Sequence, residues 1–153
     1  MKGRMFVIGA SLSGIDALCR LLEGLPGDFS APVFVTQHVA SHSPGMLPYI
    51  LTKACQLPAL HPKSEELIQP GRIYVAPPDR HMLVRKGYVR LSHGPHENCA
   101  RPAIDPLFRS AAALSIARQA ESLFGPSSVL WLIAVLTQSF IMKSLAILLG
   151  SER

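Results

Sequence analysis

The fold of this chain is decided by residues 5–38, which read MFVIGASLSGIDALCRLLEGLPGDFSAPVFVTQH. Residues 5–8 are apolar and lead into Gly9, and apolar residues then recur at helical spacing within 13–25. Residues 31–36 are β-branched and apolar, as a buried strand is. Because strands that run the same way need a crossover between them, this pattern predicts a parallel strand–helix–strand unit.

Two further helices are predicted from their starting residues. Ser43 can cap and Pro44 can open a helix that continues through residues 46–51. Asp105, followed by a proline, is a suitable N-cap for a third helix, which begins an apolar-rich segment.

Short β-strands are predicted in the middle of the chain and near its end. Residues 71–78, 81–84 and 88–91 alternate with turn residues, and we interpret them as short strands that include a hairpin. Residues 129–136 form another apolar strand candidate. The predicted fold class is therefore α/β, with a doubly wound, mainly parallel sheet and a β-hairpin insertion.

Composition excludes several classes of protein. The chain has 153 residues, of which 48% are hydrophobic, which is enough to form the core of one domain and rules out intrinsic disorder. The net charge is +5, but the basic residues are scattered, so no nucleic-acid partner is expected. Residues 129–149 have the length of a membrane span, yet Lys143 and several polar residues lie near their middle, so we expect no membrane insertion.

The cysteines and histidines indicate neither a disulfide framework nor a metal site. The three cysteines lie far apart without a C-x-x-C spacing, which fits a reducing cytoplasm. No pair of histidines has a convincing metal-ligand spacing, and the five histidines other than His38 are interpreted as structural. We expect no metal and no cofactor.

Ser11 is the first candidate for chemistry. It follows the first predicted strand, so its hydroxyl is expected at the carboxyl end of the sheet, beside a helix N-terminus whose amides can stabilise an oxyanion. Gly9-Ala10-Ser11 partly matches the nucleophile elbow of hydrolases, although Ser13 stands where that motif has its last glycine. The alternative is that Ser11 only caps the helix. Dinucleotide binding is disfavoured, because the acid expected after the second strand is absent.

His38 is the second candidate, because it ends the second predicted strand as Ser11 ends the first. Neighbouring strands lie about 4.8 Å apart, so a serine and a histidine at matching ends can approach hydrogen-bonding distance. A base beside a hydroxyl is what a serine nucleophile requires.

Five motifs in order along the chain carry a family resemblance. They are VIGAS at 7–11, QHV at 37–39, PGRIYVAPPDRHML at 70–83, RPAIDPLFRS at 101–110 and VLT at 135–137. Through them the chain resembles the catalytic domain of the bacterial chemotaxis protein-glutamate methylesterase (CheB) family.

This resemblance implies a cytoplasmic hydrolase of two-component signalling. It implies that Ser11 is the nucleophile and His38 its general base, acting through an acyl-enzyme on methylated glutamates of receptors. The implied partner is the cytoplasmic part of methyl-accepting chemotaxis receptors, some of whose glutamines the family also deamidates. Residues 1–153 are expected to form a single methylesterase-like domain without a receiver domain.

The sequence departs from the family after Thr137. The family has a glycine-rich turn there whose aspartate orients the histidine, whereas this chain has Met142 at the aspartate's position and lacks those glycines. Loss of that acid from a serine triad can lower turnover by about 10⁴, so weak or no activity is expected. The C-terminal part of the domain is also expected to be incomplete.

Two alternatives follow from this departure. The chain is either a catalytically inactive receptor-binding module or a truncated product of the same family. Translation of the coding DNA in the other reading frames beyond Thr137 tests for a frameshift. A glycine-rich turn recovered in another frame would indicate a frameshift, and its absence would count against one.

Overall fold

The computed structural model describes residues 4–122 and 132–136. Three α-helices are present in this part of the chain, and a single turn of 3-10 helix, Leu12–Gly14, precedes the first of them. The helices are α1 (Ile15–Glu23), α2 (Leu47–Ala54) and α3 (Ile104–Ser122). The strands are β1 (Phe6–Ala10), β2 (Val33–Gln37), β3 (Ala59–Leu60), β4 (Glu66–Leu67), β5 (Ile73–Val75), β6 (His81–Arg85), β7 (Tyr88–Ser92) and β8 (Leu132–Leu136).

The main sheet has five parallel strands in the order β3-β5-β2-β1-β8. Side chains alternate between its two faces, so Phe34 joins one buried cluster while its neighbour Val35 joins the other. Helices α1 and α2 pack on the Val35 side with Leu18 and Leu51, and α3 packs on the Phe34 side through Leu107. The predicted doubly wound, mainly parallel α/β fold is confirmed.

The predicted hairpin is present, and the other strand predicted in the middle of the chain belongs to the main sheet. Strands β6 and β7 pair antiparallel and, with β4, form a separate three-stranded sheet. Residues 73–75, within the short strand predicted at 71–78, pair in parallel with β2 as a strand of the main sheet. Their side chains are all buried, as expected for a strand covered on both faces.

Both predicted helix starts are wrong by a few residues. Helix α2 begins at Leu47 and not at Ser43 and Pro44, because Gly45 has a φ of 67°, a left-handed conformation that a right-handed helix cannot include. Asp105 lies within the first turn of α3 and is not its N-cap. Its carboxylate instead accepts a hydrogen bond of 2.7 Å from Asn98 Nδ2.

The end of the main sheet positions the candidate site. The strand order reverses at β1, which lies between β2 and β8, and doubly wound sheets bind their ligands where this reversal occurs.

The predicted incompleteness at the C-terminus concerns residues outside the described part of the chain. Within the described part, no helix is both long and apolar enough to cross a bilayer.

Gly9 allows α3 to approach β1. A Cβ built at Gly9 would lie only 2.6 Å from Cγ2 of Ile104, the first residue of α3. This is closer than a van der Waals contact, so a side chain at this position forces the Ile104 side chain, or α3 with it, to shift. The glycine before Ser11 therefore has a packing role.

We predict that Gly9→Ala lowers the free energy of unfolding by about 1–3 kcal/mol, because overpacking a buried contact has a cost of that order. Gly24→Ala is the matched control, since its added methyl would meet nothing closer than the Leu21 carbonyl oxygen at 3.6 Å. Urea unfolding measures both free energies. Equal stability of the two variants would contradict the packing role of Gly9.

Candidate active site

Ser11 directly follows β1 and precedes the 3-10 turn. Its backbone is extended (φ −75°, ψ 171°), and its hydroxyl makes no capping hydrogen bond to that turn. The Ser11 hydroxyl forms a hydrogen bond of 3.3 Å with the hydroxyl of Ser13. Ser11 is thus the N-cap residue of the 3-10 turn by position, but its hydroxyl does not cap the turn, and the residue lies at the carboxyl end of β1.

His38 directly follows β2, the parallel neighbour of β1. The register pairs Ala10 with Gln37, and the His38 amide donates a hydrogen bond of 3.0 Å to the Ala10 carbonyl oxygen. The Gln37 side-chain amide donates a longer bond, 3.3 Å, to the carbonyl oxygen of Ser11. Ser11 and His38 thus occupy matching positions at adjacent strand ends, as the sequence predicted.

The side chains of Ser11 and His38 are not hydrogen-bonded to each other in this structure. Nε2 of His38 is buried and has no hydrogen-bond partner within the described residues. A buried polar atom without a partner is uncommon and has a free-energy cost. Catalytic hydrogen bonds are often long in a substrate-free site and shorten when substrate binds. Ser11 and His38 are therefore positioned as a nucleophile and its base are, although their side chains do not form the hydrogen bond in this structure.

A cleft of about 430 Å³ opens beside His38. Its two walls are the loop that follows β2 and a second loop that precedes α3, and none of the residues that line it is acidic. The lining residues are His38, Val39, Ala40, Ser41, His42, His96, Cys99, Ala100 and Arg101.

The second wall of the cleft is fixed by Arg101. Its Nε and Nη2 donate hydrogen bonds of 2.8 and 2.6 Å to one carboxylate oxygen of Asp79, and its Nη1 donates to the Gly94 carbonyl oxygen. The Arg101 side chain is only 13% exposed. Arginine–carboxylate pairs of this kind are strong and directional, so the wall has a defined position relative to His38.

Asp79 has a second hydrogen-bond partner, because Nε2 of His93 lies 2.8 Å from its other carboxylate oxygen. The hydrogen bond from Arg101, and after it the one from His93, holds the pKa of the Asp79 carboxyl below its ordinary value. The Asp79 carboxylate therefore stays ionised in the folded protein at a pH where a free aspartate becomes protonated.

His81 ties the same wall to the hairpin. The ring lies between the Pro95 carbonyl oxygen, 2.9 Å from Nε2, and the Ala103 amide, which donates to Nδ1 at 3.2 Å. These partners require Nε2 to donate and Nδ1 to accept, which is the neutral tautomer. The buried His81 is thus structural, as the sequence predicted.

The wall also contains locally strained backbone. Asn98 and Cys99 are consecutive non-glycine residues with positive φ, 49° and 59°. An antiparallel bridge between Glu97 and Ala100 closes the turn that contains them. Backbone of this kind has a conformational cost and is found often at binding sites.

Sequence reasoning missed part of the cleft. His42 and His96 were interpreted as structural, yet both line the cleft, and Arg101 was quoted only as part of a motif. His42 lies four residues after His38 in one loop, which was a usable indication. Nothing local indicated His96, because the tertiary contacts of Arg101 and His81 bring its loop to the site.

Comparison with known proteins agrees with this architecture. A family model described as CheB methylesterase matches residues 6–120. The chain belongs to the CheB methylesterase family. It is 41% identical over 106 residues to the Anaeromyxobacter dehalogenans protein-glutamate methylesterase/protein-glutamine glutaminase 2, covering 69% of this chain and 31% of that protein. A Maricaulis maris protein-glutamate methylesterase/protein-glutamine glutaminase is 36% identical over 118 residues, covering 74% of this chain and 29% of that protein.

A solved CheB structure has the same fold. The Thermotoga maritima CheB methylesterase catalytic domain superposes with a TM-score of 0.75 at 26% identity, covering 90% of this chain and 68% of that one. The chain spans about a third of the length of the two curated CheB relatives named above. Thr137 and Met142, where the sequence departs from the family, lie outside the described residues.

We predict that Asp79→Asn destabilises the fold at neutral pH, because the variant loses the charge that Arg101 and His93 bind. A lowered pKa means that this stabilisation is fully present above the ordinary aspartate pKa of about 3.9 and is lost as pH falls through the lower folded-state value. The stability difference between wild type and variant therefore shrinks as the solution is acidified. Urea unfolding from about pH 7 to about pH 3 measures this difference.

Asp28→Asn is the control, because it removes the same charge from an exposed loop position. A difference between wild type and Asp79→Asn that stays constant with pH, or that Asp28→Asn reproduces, would show that the Asp79 carboxylate does not hold the cleft wall.

Proposed function

We propose that this chain is a protein-glutamate methylesterase-like hydrolase that acts on methylated glutamates, and on some glutamines, of chemotaxis receptors. The observation that carries the proposal is the placement of Ser11 and His38 at paired ends of neighbouring parallel strands, where His38, though not Ser11, lines a cleft. The CheB relatives named above, whose names specify protein-glutamate methylesterase and protein-glutamine glutaminase, support the reaction.

In the proposed mechanism Ser11 Oγ adds to the ester carbonyl carbon while the His38 ring accepts the hydroxyl proton. The tetrahedral intermediate then collapses, the C–O bond to the methoxy group breaks, and protonated His38 gives its proton to the methoxy oxygen, which leaves as methanol. Water attacks the resulting acyl-serine with His38 again as base, which releases glutamate and restores Ser11. With a glutamine side chain, ammonia leaves instead of methanol.

The surroundings of the pair suit an ester that becomes an oxyanion. The cleft has no acidic lining residue, and Glu97, near its second wall, is held by Arg109 through both carboxylate oxygens at 2.8 and 2.7 Å. Negative charge that develops at the carbonyl oxygen therefore meets no unpaired carboxylate among the residues that line the cleft. Uncompensated negative charge in a site raises the energy of an oxyanion transition state.

Turnover is proposed to be slow. Met142 stands at the family's aspartate position, so no carboxylate is expected to orient His38 or to stabilise its protonated form. This residue and the missing hydrogen bond between Ser11 and His38 favour a second candidate function. In that alternative the chain is an inactive module that binds the receptor without hydrolysing it.

The remaining parts of the proposal concern context. We propose that residues 1–153 act as a single methylesterase-like domain in the cytoplasm, with the cytoplasmic part of methyl-accepting chemotaxis receptors as partner. The chemistry above uses side chains of this chain and water, without a metal or cofactor.

Ser11→Ala is expected to abolish methanol release from a methylated receptor fragment, because the acyl-enzyme cannot form. Ser30→Ala, which changes an exposed serine before β2, is expected to keep the wild-type rate. Gas chromatography measures the methanol released by the wild type and by each of the two variants. Equal rates for wild type and Ser11→Ala would favour the inactive module.

His38→Gln is expected to lower the same rate by about 10²–10⁴, the usual contribution of a general base. Single-turnover measurement with excess protein separates loss of chemistry from loss of binding. If His38→Gln keeps the wild-type single-turnover rate, His38 is not the general base.

A further inference from the structure

Helix α2 has a stripe of exposed side chains. Its buried residues are Leu47 and Leu51, whereas Met46 is 50% and Tyr49 is 60% exposed. Lys53 is also exposed, and its Nζ lies 5.7 Å from the centre of the Tyr49 ring. Residues three and four positions apart lie on one side of a helix, so Met46, Tyr49 and Lys53 form a continuous surface, called here the α2 stripe.

The α2 stripe follows the first cleft wall closely along the chain. Residues 38–42 line the cleft, and the same loop reaches Met46 four residues later. His61 fixes this loop, because its ring nitrogens lie 2.9 Å from the Val75 carbonyl oxygen and 3.0 Å from that of Gly45. The first cleft wall and the start of the stripe are therefore parts of one loop that His61 holds in place.

The charge of this region favours an acidic partner. Residues 29–64, which include the first cleft wall and the whole of α2, contain no aspartate or glutamate, although the chain has ten such residues. Lys53 supplies a fixed positive charge on the stripe itself. Lys53 attracts a carboxylate that approaches the stripe, and α2 itself carries no acidic residue, whereas the neighbouring helix α1 carries Asp16 and Glu23.

We propose that the α2 stripe is the docking surface for the acidic segment of the substrate protein that carries the glutamyl ester. This inference rests on the proposed function, because a segment that bears glutamates and glutamyl esters is acidic. Met46 and Tyr49 contact an apolar side chain of that segment, and Lys53 pairs with one of its glutamates. Aromatic side chains with a neighbouring charge are frequent anchors of protein interfaces.

The test is the binding of a dye-labelled peptide of glutamate, alanine and leucine that carries one glutamyl methyl ester. Binding is measured by fluorescence anisotropy on the Ser11→Ala chain, so that the peptide is not consumed. Tyr49→Ser and Lys53→Glu are each expected to weaken the Kd about five- to tenfold, with the effect of Lys53→Glu decreasing as salt is added.

Two matched controls separate the stripe from general surface effects. Leu67→Ser removes a hydrophobic residue that is 70% exposed but lies on β4. Lys63→Glu makes the same charge reversal at an exposed position beyond α2. Both controls are expected to bind the peptide with a Kd within about twofold of the parent, a difference of under 0.5 kcal/mol.

Three results would overturn the docking surface. The first is equal Kd values for the stripe and control variants, and the second is absence of peptide binding by the parent. The third is self-association in sedimentation that Tyr49→Ser abolishes, which would assign the stripe to a second copy of this chain.

Binding without hydrolysis by wild type would refute only the proposed activity, whereas hydrolysis with a KM unchanged by Tyr49→Ser and Lys53→Glu would refute only the docking surface.

Discussion

The parallel pairing of β1 with β2 is the constraint on which the candidate site depends. Because Ala10 pairs with Gln37 and the His38 amide donates to the Ala10 carbonyl oxygen, Ser11 and His38 emerge at the same height from adjacent strands. A shift of the register by one residue would turn one of the two side chains to the opposite face of the sheet. Burial of β2 on both faces opposes such a shift, since it would misplace every apolar side chain of the strand.

A second set of contacts completes the site from a distant part of the chain. Asp79 follows β5 and binds Arg101 just before α3, while His81 of the hairpin contacts Pro95 and Ala103, which lie on either side of Arg101 in the sequence. The hydrogen bonds of Asp79 and His81 therefore link the start of the hairpin to the loop before α3. These bonds place His96 and Arg101 in the wall opposite the loop that contains His38 and His42.

Local patterns were sufficient to predict the first strand–helix–strand unit, the β6–β7 hairpin and the matching positions of Ser11 and His38. They could not assign residues 73–75, because an apolar run of three residues fits a hairpin and a parallel sheet equally, and the choice depends on pairing with distant β2. The start of α2 was missed because the left-handed conformation of Gly45 depends on its surroundings. The second cleft wall could not be predicted, since long-range hydrogen bonds create it.

The central claim is that Ser11 is a nucleophile activated by His38. Intact-mass and peptide-mapping spectrometry after treatment with a fluorophosphonate tests this most directly, because such reagents phosphonylate activated serines and need no turnover. The account predicts a single adduct on Ser11, formed at least about tenfold more slowly in His38→Gln, since the variant lacks the general base. An adduct elsewhere, no adduct, or labelling of Ser11 at the same rate without His38 would contradict it.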